Sequence, residues 1–135
     1  MLARIVSAAL SAGGALLAAI VVAALLVACG GGAQSIQTDS YTVTLRLEGA
    51  GVGERTATID IADRQGRPAA PDAVVLAPVM RDMGMASPEV TAQPSGPGRY
   101  TARAPFFSML GEWELDVRVT AGGADETASF TVQVQ

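Results

Sequence analysis

The sequence predicts an all-β domain, an immunoglobulin-like β-sandwich of about seven antiparallel strands, preceded by an N-terminal lipoprotein signal segment. Three observations favour this fold. Apolar residues alternate with polar ones in several short runs after residue 40, and turn-forming Gly, Pro and Asp residues separate these runs. No stretch after Cys29 has the 3.6-residue period of a helix. Six or seven short strands in roughly 95 residues are typical of a sandwich.

The first 28 residues have the features of a secretory signal. Arg4 is the only charged side chain before an apolar run that ends at Leu26-Val27-Ala28-Cys29. These four residues resemble a bacterial lipobox, in which the cysteine is lipidated and becomes the mature N-terminus. The alternative is an uncleaved membrane anchor, because residues 8–28 are long enough to span a bilayer. Either interpretation places the rest of the chain outside the cytoplasm.

We therefore divide the chain into three parts. Residues 1–28 are expected to be a lipoprotein signal peptide, residues 29–40 a lipidated Cys29 with a flexible tether, and residues 41–135 the β-sandwich domain. The tether assignment depends on the run GGGAQSIQTDS, because glycine-rich polar sequences favour flexible coil.

The strands are predicted from their apolar pattern. Most of the segments place an apolar side chain at every second position, as half-buried strands do. Residues 72–80 are instead apolar on both faces, as in a covered central strand, and residues 88–93 have the weakest pattern. Trp113 and Tyr100 lie on inward faces and are expected in the core. The seven segments are residues 41–48, 57–61, 72–80, 88–93, 98–104, 112–120 and 126–134.

Charge and composition exclude several functions. Without Arg4 the mature part has eight arginines against 13 Asp and Glu residues, a net charge of −5, which argues against nucleic acid as a partner. The mature part has no histidine, and Cys29 is the only cysteine, so zinc sites and internal disulfides are excluded.

We predict that the protein is not an enzyme. Glu112, Glu114 and Asp116 share one strand face, but they alternate with Trp113 and Leu115 as solvated residues of a half-buried sheet do. No side chain stands out as a general base, and the hydroxyl groups have no basic partner in the sequence pattern.

Four of the five methionines cluster in two segments. VMRDMGM holds Met80, Met83 and Met85, and FFSMLGEW holds Met109. If residues 88–93 form a strand, antiparallel succession places both segments in connections at the same end of the sandwich. The tether would then enter the first strand at the other end, so we expect the methionines to face away from the membrane.

The methionines admit three interpretations. They fill irregular gaps in the core, they bind copper(I), or they form an exposed patch that docks a partner. A thioether is a soft, neutral ligand that suits copper(I), and in a mature chain without histidine or free cysteine it is the realistic choice. Gly84 between Met83 and Met85 permits the backbone bend that would direct both sulfurs to one centre.

Two segments resemble the YtkA-like and FixH-like domain families of bacterial envelopes. The first, DRQGRPAAPDAVVLAPVMRDMGM, is similar to the family's Asp–Gly turn, apolar strand and closing methionine-rich loop. The second, GPGRYTARAPFFSMLGEWELDVRV, is similar to its Gly-x-Tyr strand, methionine-bearing loop and Gly-x-Trp strand start. With their flanking strands these segments cover most of residues 41–135.

The resemblance implies an extracytoplasmic sandwich associated with copper transport or with maturation of cbb-type cytochrome oxidases. It makes Met80, Met83, Met85 and Met109 candidate ligands for copper(I). The implied partners are the membrane, through a lipid anchor, and a copper-accepting envelope protein or oxidase assembly factor. FixH proteins are usually held by a transmembrane helix, whereas this chain is expected to be held by a lipidated Cys29. The alternative function is a non-catalytic envelope interaction module without metal.

Overall fold

The computed structural model describes residues 32–135. The predicted signal peptide, residues 1–28, and Cys29 lie outside this range. Within residues 32–135 no helix has the length and apolar character needed to cross a membrane. The elements in chain order are β1 (Gln34–Gln37), β2 (Tyr41–Leu47), β3 (Gly53–Asp63), β4 (Ala73–Met80), a 3₁₀ turn (Arg81–Met83), β5 (Met85–Ala86), β6 (Val90–Thr91), β7 (Gln93–Gly96), β8 (Arg99–Phe107), β9 (Gly111–Ala121) and β10 (Ala124–Val134).

The strands form two antiparallel sheets that pack face to face, which confirms the predicted β-sandwich. The first sheet has the order β1-β2-β3-β8-β7, and the second has the order β10-β9-β4-β5, with β6 also paired to β4. β9 and β10 are the longest pair, with continuous register from Gly111 opposite Val134 to Ala121 opposite Ala124.

The core lies between the sheets and is built from the alternating side chains of each strand. β9 alternates buried and half-exposed residues along nearly all its length, and β10 alternates buried and exposed ones. Trp113 is 1% exposed and Tyr100 is 7% exposed, so both lie in the core. Because the period of a strand is two, this alternation directs one face of each sheet to the interior and the other to solvent. The largest fully buried side chains include Trp113, Phe106, Phe107 and Phe130.

The weak fourth segment, residues 88–93, is divided between the two sheets. Val90 and Thr91 pair with β4 of the second sheet, whereas β7 begins at Gln93 and pairs with β8 of the first sheet. Ala92 lies buried at the crossing point, and its N–H donates to the carbonyl of Val74 at 2.8 Å. The segment therefore forms a strand in each sheet, changing from the second sheet to the first after two paired residues.

The expected point of entry of the chain is wrong. Part of the predicted tether forms β1, which runs antiparallel to β2 with Gln34 opposite Leu45 and Gln37 opposite Thr42. This extra strand carries the chain back along the sheet before β2 begins. The chain thus enters the domain at the end where β2 stops at Leu47, not at the end where β2 starts.

Truncation of Phe130 tests the packing of the core. Phe130 is fully buried, so we expect Phe130→Ala to lower the free energy of unfolding by about 3–5 kcal/mol. The neighbouring Thr131 is exposed on the other face of β10, and Thr131→Ala should change the stability by about 0.5 kcal/mol or less. Chemical denaturation followed by circular dichroism measures both values, and equal effects of the two variants would contradict this packing.

Candidate functional site

Three connections meet at one end of the sandwich, which we call the methionine pole. They are the β2–β3 turn (residues 48–52), the β4–β5 turn (residues 81–84) and the β8–β9 connection (residues 108–110). The register brings them together, since Gly53 at the start of β3 lies opposite Phe107 at the end of β8. The C-terminus is also here, because the Gln135 N–H donates to the carbonyl of Ala50 at 3.1 Å. All four candidate methionines lie in or beside these connections.

Met80 is the last residue of β4 and is the buried member of the set, with 4% of its surface exposed. Its terminal methyl lies against the backbone of Gly111 at the start of β9. A Cβ atom at Gly111 would lie 2.7 Å from the Met80 Cε atom. The absence of a side chain at Gly111 therefore makes room for the thioether of Met80.

Met85 lies directly beside Met80. The β4–β5 pairing places the two residues opposite each other, and opposed residues of antiparallel strands direct their side chains to the same face. The Cβ atoms of such pairs are typically about 4.5–5.5 Å apart. Met80 is buried whereas Met85 is 40% exposed, so the pair forms one inner and one accessible thioether.

Gly84 makes this pairing possible by reversing the chain. It has a left-handed conformation with φ of 61°, and its N–H donates to the carbonyl of Arg81 at 3.0 Å. The bend therefore returns Met85 to the side of Met80. It leaves Met83 at the tip of the turn, where it is 61% exposed.

Met109 lies in the β8–β9 connection, which joins the first sheet to the second, and its backbone is held there by Trp113. The indole Nε1 of Trp113 donates to the carbonyl of Met109 at 3.0 Å, and the Trp113 ring packs against Phe107 with ring centroids 5.6 Å apart. The backbone of Met109 is thus held by a buried indole, while its own surface is 37% exposed.

The structure therefore separates the methionines by their surroundings. Met80 has the burial expected of a residue that fills a gap in the core. Met83, Met85 and Met109 are exposed and do not have this explanation. The register pairs Met80 with Met85 and places Met109 at the same pole, with Met83 outermost.

An ion pair flanks the methionine pole on the outer face of the second sheet. The Arg81 guanidinium donates to both carboxylate oxygens of Glu114, with the Nε–Oε2 distance at 2.9 Å, and lies 3.8 Å from Asp116. Hydrogen bonding from Arg81 lowers the pKa of Glu114 to about 2. The pKa of Arg81 is raised in turn, so both groups are charged at neutral pH. This pairing offsets the positive charge next to Met80.

The acidic row of β9 has structural partners, in agreement with its interpretation as a solvated sheet face. Glu112 accepts a hydrogen bond from Gln133 at 2.7 Å, and Asp116 accepts one from Ser129 at 2.6 Å. Among residues 32–135 no three His, Cys, Asp or Glu side chains are grouped to hold a metal ion.

Two exposed residues at the same pole were not identified from the sequence. Leu110 is 63% exposed beside Met109, and Val52 is 43% exposed in the β2–β3 turn. Both residues lie next to glycines in turns, where the alternation of apolar and polar residues no longer indicates which side chains are buried. The position of Leu110 next to a methionine in FFSMLGEW was the one available signal.

Comparison with known proteins gives one family. A family model described as YtkA-like matches residues 36–118, which run from β1 into β9 and include the four candidate methionines. No curated protein and no solved structure matches the chain. This match confirms the predicted resemblance to YtkA-like domains. It does not confirm the predicted resemblance to FixH-like domains.

The Arg81–Glu114 pair predicts an acid-dependent contribution to stability. Glu114 has a depressed pKa in the folded state, so the pair stabilises the fold fully above the ordinary glutamate value and loses this effect as the pH falls from about 4.5 to about 2. We expect Arg81→Gln to lower the free energy of unfolding at pH 7, with the difference from the parent shrinking towards pH 2. Unfolding curves at pH 7, 4 and 2.5 measure this difference, and a constant difference would show that the pair does not control the titration of Glu114.

Proposed function

Because the chain belongs to the YtkA-like family, whose domains are in general extracytoplasmic, we propose that it binds copper(I) through the thioethers of the methionine pole and passes it to a partner. The observation that carries the proposal is the pairing of Met80 and Met85 on one sheet face, with Met109 held at the same pole by Trp113. The interpretation that methionine fills a gap in the core explains Met80 alone. It does not explain the three exposed thioethers of Met83, Met85 and Met109.

The donor set fits copper(I) by its chemistry. Thioether sulfurs are soft and uncharged, and they have no proton to lose on binding, so affinity is expected to depend little on pH. Met85 and Met109 are accessible from solvent, while Met80 lies behind them in the core. Exposed, neutral ligands favour ligand exchange: the ion enters a shallow site and leaves for a stronger one. Such a carrier needs no catalytic residue, and we propose a non-enzymatic role.

The proposed setting is the membrane surface. The lipobox-like sequence at Cys29 supports a lipidated N-terminus, and the proposed partner is a copper-accepting envelope protein. The methionine-bearing segments also resemble FixH-like domains, which supports an oxidase assembly factor as one candidate acceptor. Both the anchor and the acceptor belong to this proposal.

The second candidate is an interaction module that binds no metal. Leu110 and Val52 favour it, because they are exposed at the same pole and have no sulfur. In that role the methionines contribute apolar surface alone, and leucine is an adequate substitute for them.

The Met83→Leu, Met85→Leu double variant distinguishes these functions. Leucine keeps the size and hydrophobicity of methionine but has no sulfur. Because mutating residues that only support metal ligands typically lowers metal affinity by about 10–100-fold, losing two ligands should lower the copper(I) affinity by at least this much. Titration of the full chain in detergent with copper(I), under reducing conditions and against a competing chelator, measures the affinity.

Leu110→Val is the matched control, because it changes apolar surface at the same pole without touching a sulfur. We expect it to bind copper(I) as the parent does. If the double variant also binds like the parent, Met83 and Met85 are not ligands and the metal-free module is favoured.

A further inference from the structure

The large apolar side chains that are exposed on the domain lie at one end. Among residues 32–135, the large hydrophobic side chains that are exposed are Val52, Met83, Met85, Met109 and Leu110, and all five lie in or directly beside the connections of the methionine pole. The opposite end presents the polar β3–β4 turn with Arg64, Gln65 and Arg67 exposed. Contiguous exposed apolar surface on a small domain indicates a contact site.

We call these five residues the apolar strip, because chain sequence and strand pairing place them in order across the pole. Val52 precedes Gly53, which pairs with Phe107 two residues before Met109. Leu110 precedes Gly111, against which Met80 packs, and Met80 pairs with Met85. The strip therefore runs from the β2–β3 turn across the β8–β9 connection to β5.

The chain enters the domain at this same pole. Gly32 and Gln34 line a shallow cavity of about 180 Å³ together with Leu47, Gly49 and Ala50 of the β2–β3 region. Only three peptide steps separate Gly32 from Cys29, a reach of roughly 10 Å when fully extended. β9 and β10 have 11 residues each and are roughly 36 Å long, so this short link keeps the opposite end away from the point of attachment.

We propose that the methionine pole is a membrane-contact surface, whose apolar strip rests on the outer face of the neutral phospholipid bilayer that holds the N-terminal segment. The inference relies on the proposed membrane attachment and not on copper binding. It holds whether attachment is through a lipidated Cys29 or through residues 8–28 as an apolar anchor. Because attachment gives the pole a high effective concentration at the bilayer, a weak contact is sufficient.

The charges around the pole favour neutral over anionic lipid. Arg81 is paired with Glu114, and Arg103 is paired with Glu54, so neither arginine is free to bind lipid phosphate strongly. The guanidinium of Arg55 folds under the β2–β3 turn and donates to the carbonyl of Val52 at 3.2 Å. Asp82 adds an exposed acidic residue beside Met83. Arg46 near the end of β2 is exposed as well, but the mature part has a net charge of 8 − 13 = −5, so anionic headgroups would repel the domain.

A site-specific dye tests the contact. The full chain with Cys29→Ser retains residues 1–28 as its anchor and accepts a nitrobenzoxadiazole label at Leu110→Cys, or at Gln65→Cys on the opposite end. In phosphatidylcholine vesicles with a headgroup-proximal doxyl lipid, we expect several-fold stronger quenching at 110 than at 65. Adding anionic phosphatidylglycerol should weaken the quenching at 110.

The Val52→Asp, Met83→Asp variant separates apolar contact from simple proximity. It keeps the short link but replaces two exposed members of the strip, so quenching at 110 should fall towards the level at 65. Equal quenching at 110 and 65 in the parent, or quenching at 110 that the variant leaves unchanged, would overturn the proposal. Vesicle flotation checks attachment in parallel, and a chain that does not float refutes both the anchor and the contact. No copper is present, so the outcome is independent of metal binding.

Discussion

The packing of Trp113 at the methionine end of the core is the interaction on which the arrangement of the methionine pole depends. Its indole is almost fully buried, contacts Phe107 and donates its single N–H to the carbonyl of Met109. That hydrogen bond satisfies the one polar atom of the ring and fixes the β8–β9 connection, which joins the two sheets. Strand pairing fixes the two ends of this connection at Phe107 and Gly111, and the indole holds its middle at Met109.

The strand β1 decides how the domain is oriented relative to its N-terminal segment. A tether leading directly into β2 would place the methionines at the end of the domain far from the N-terminal segment, whereas β1 returns the chain along the sheet and brings Gly32 to the methionine pole. In the proposed copper role, this orientation directs the thioethers towards an acceptor held in or on the same bilayer.

The alternation of apolar residues made most strands predictable, because burial of one sheet face imposes a period of two. β9 and β10 follow that pattern along nearly their whole length, and the prediction of their inward residues agrees with the burial of Leu115 and Phe130. The same rule failed for β1, a four-residue edge strand with only Ile36 partly buried. It also did not reveal the change of sheet at Ala92, since both halves of that segment are extended. For the candidate site, the four methionines remain predicted ligands. The sequence pattern did not single out the exposed Leu110 and Val52, because residues in turns do not alternate with a fixed period.

The sequence by itself determined the two-layer β class, the inward residues of the long strands, the acidic charge and the lack of histidine, since these follow from residue chemistry and local period. Only the tertiary structure decided that Met80 lies buried beside an accessible Met85, that Met109 is held by Trp113, and that the chain enters at the same pole. These arrangements depend on strand pairing between distant segments. Pairing is selected by the fit of the whole core, which no local pattern specifies.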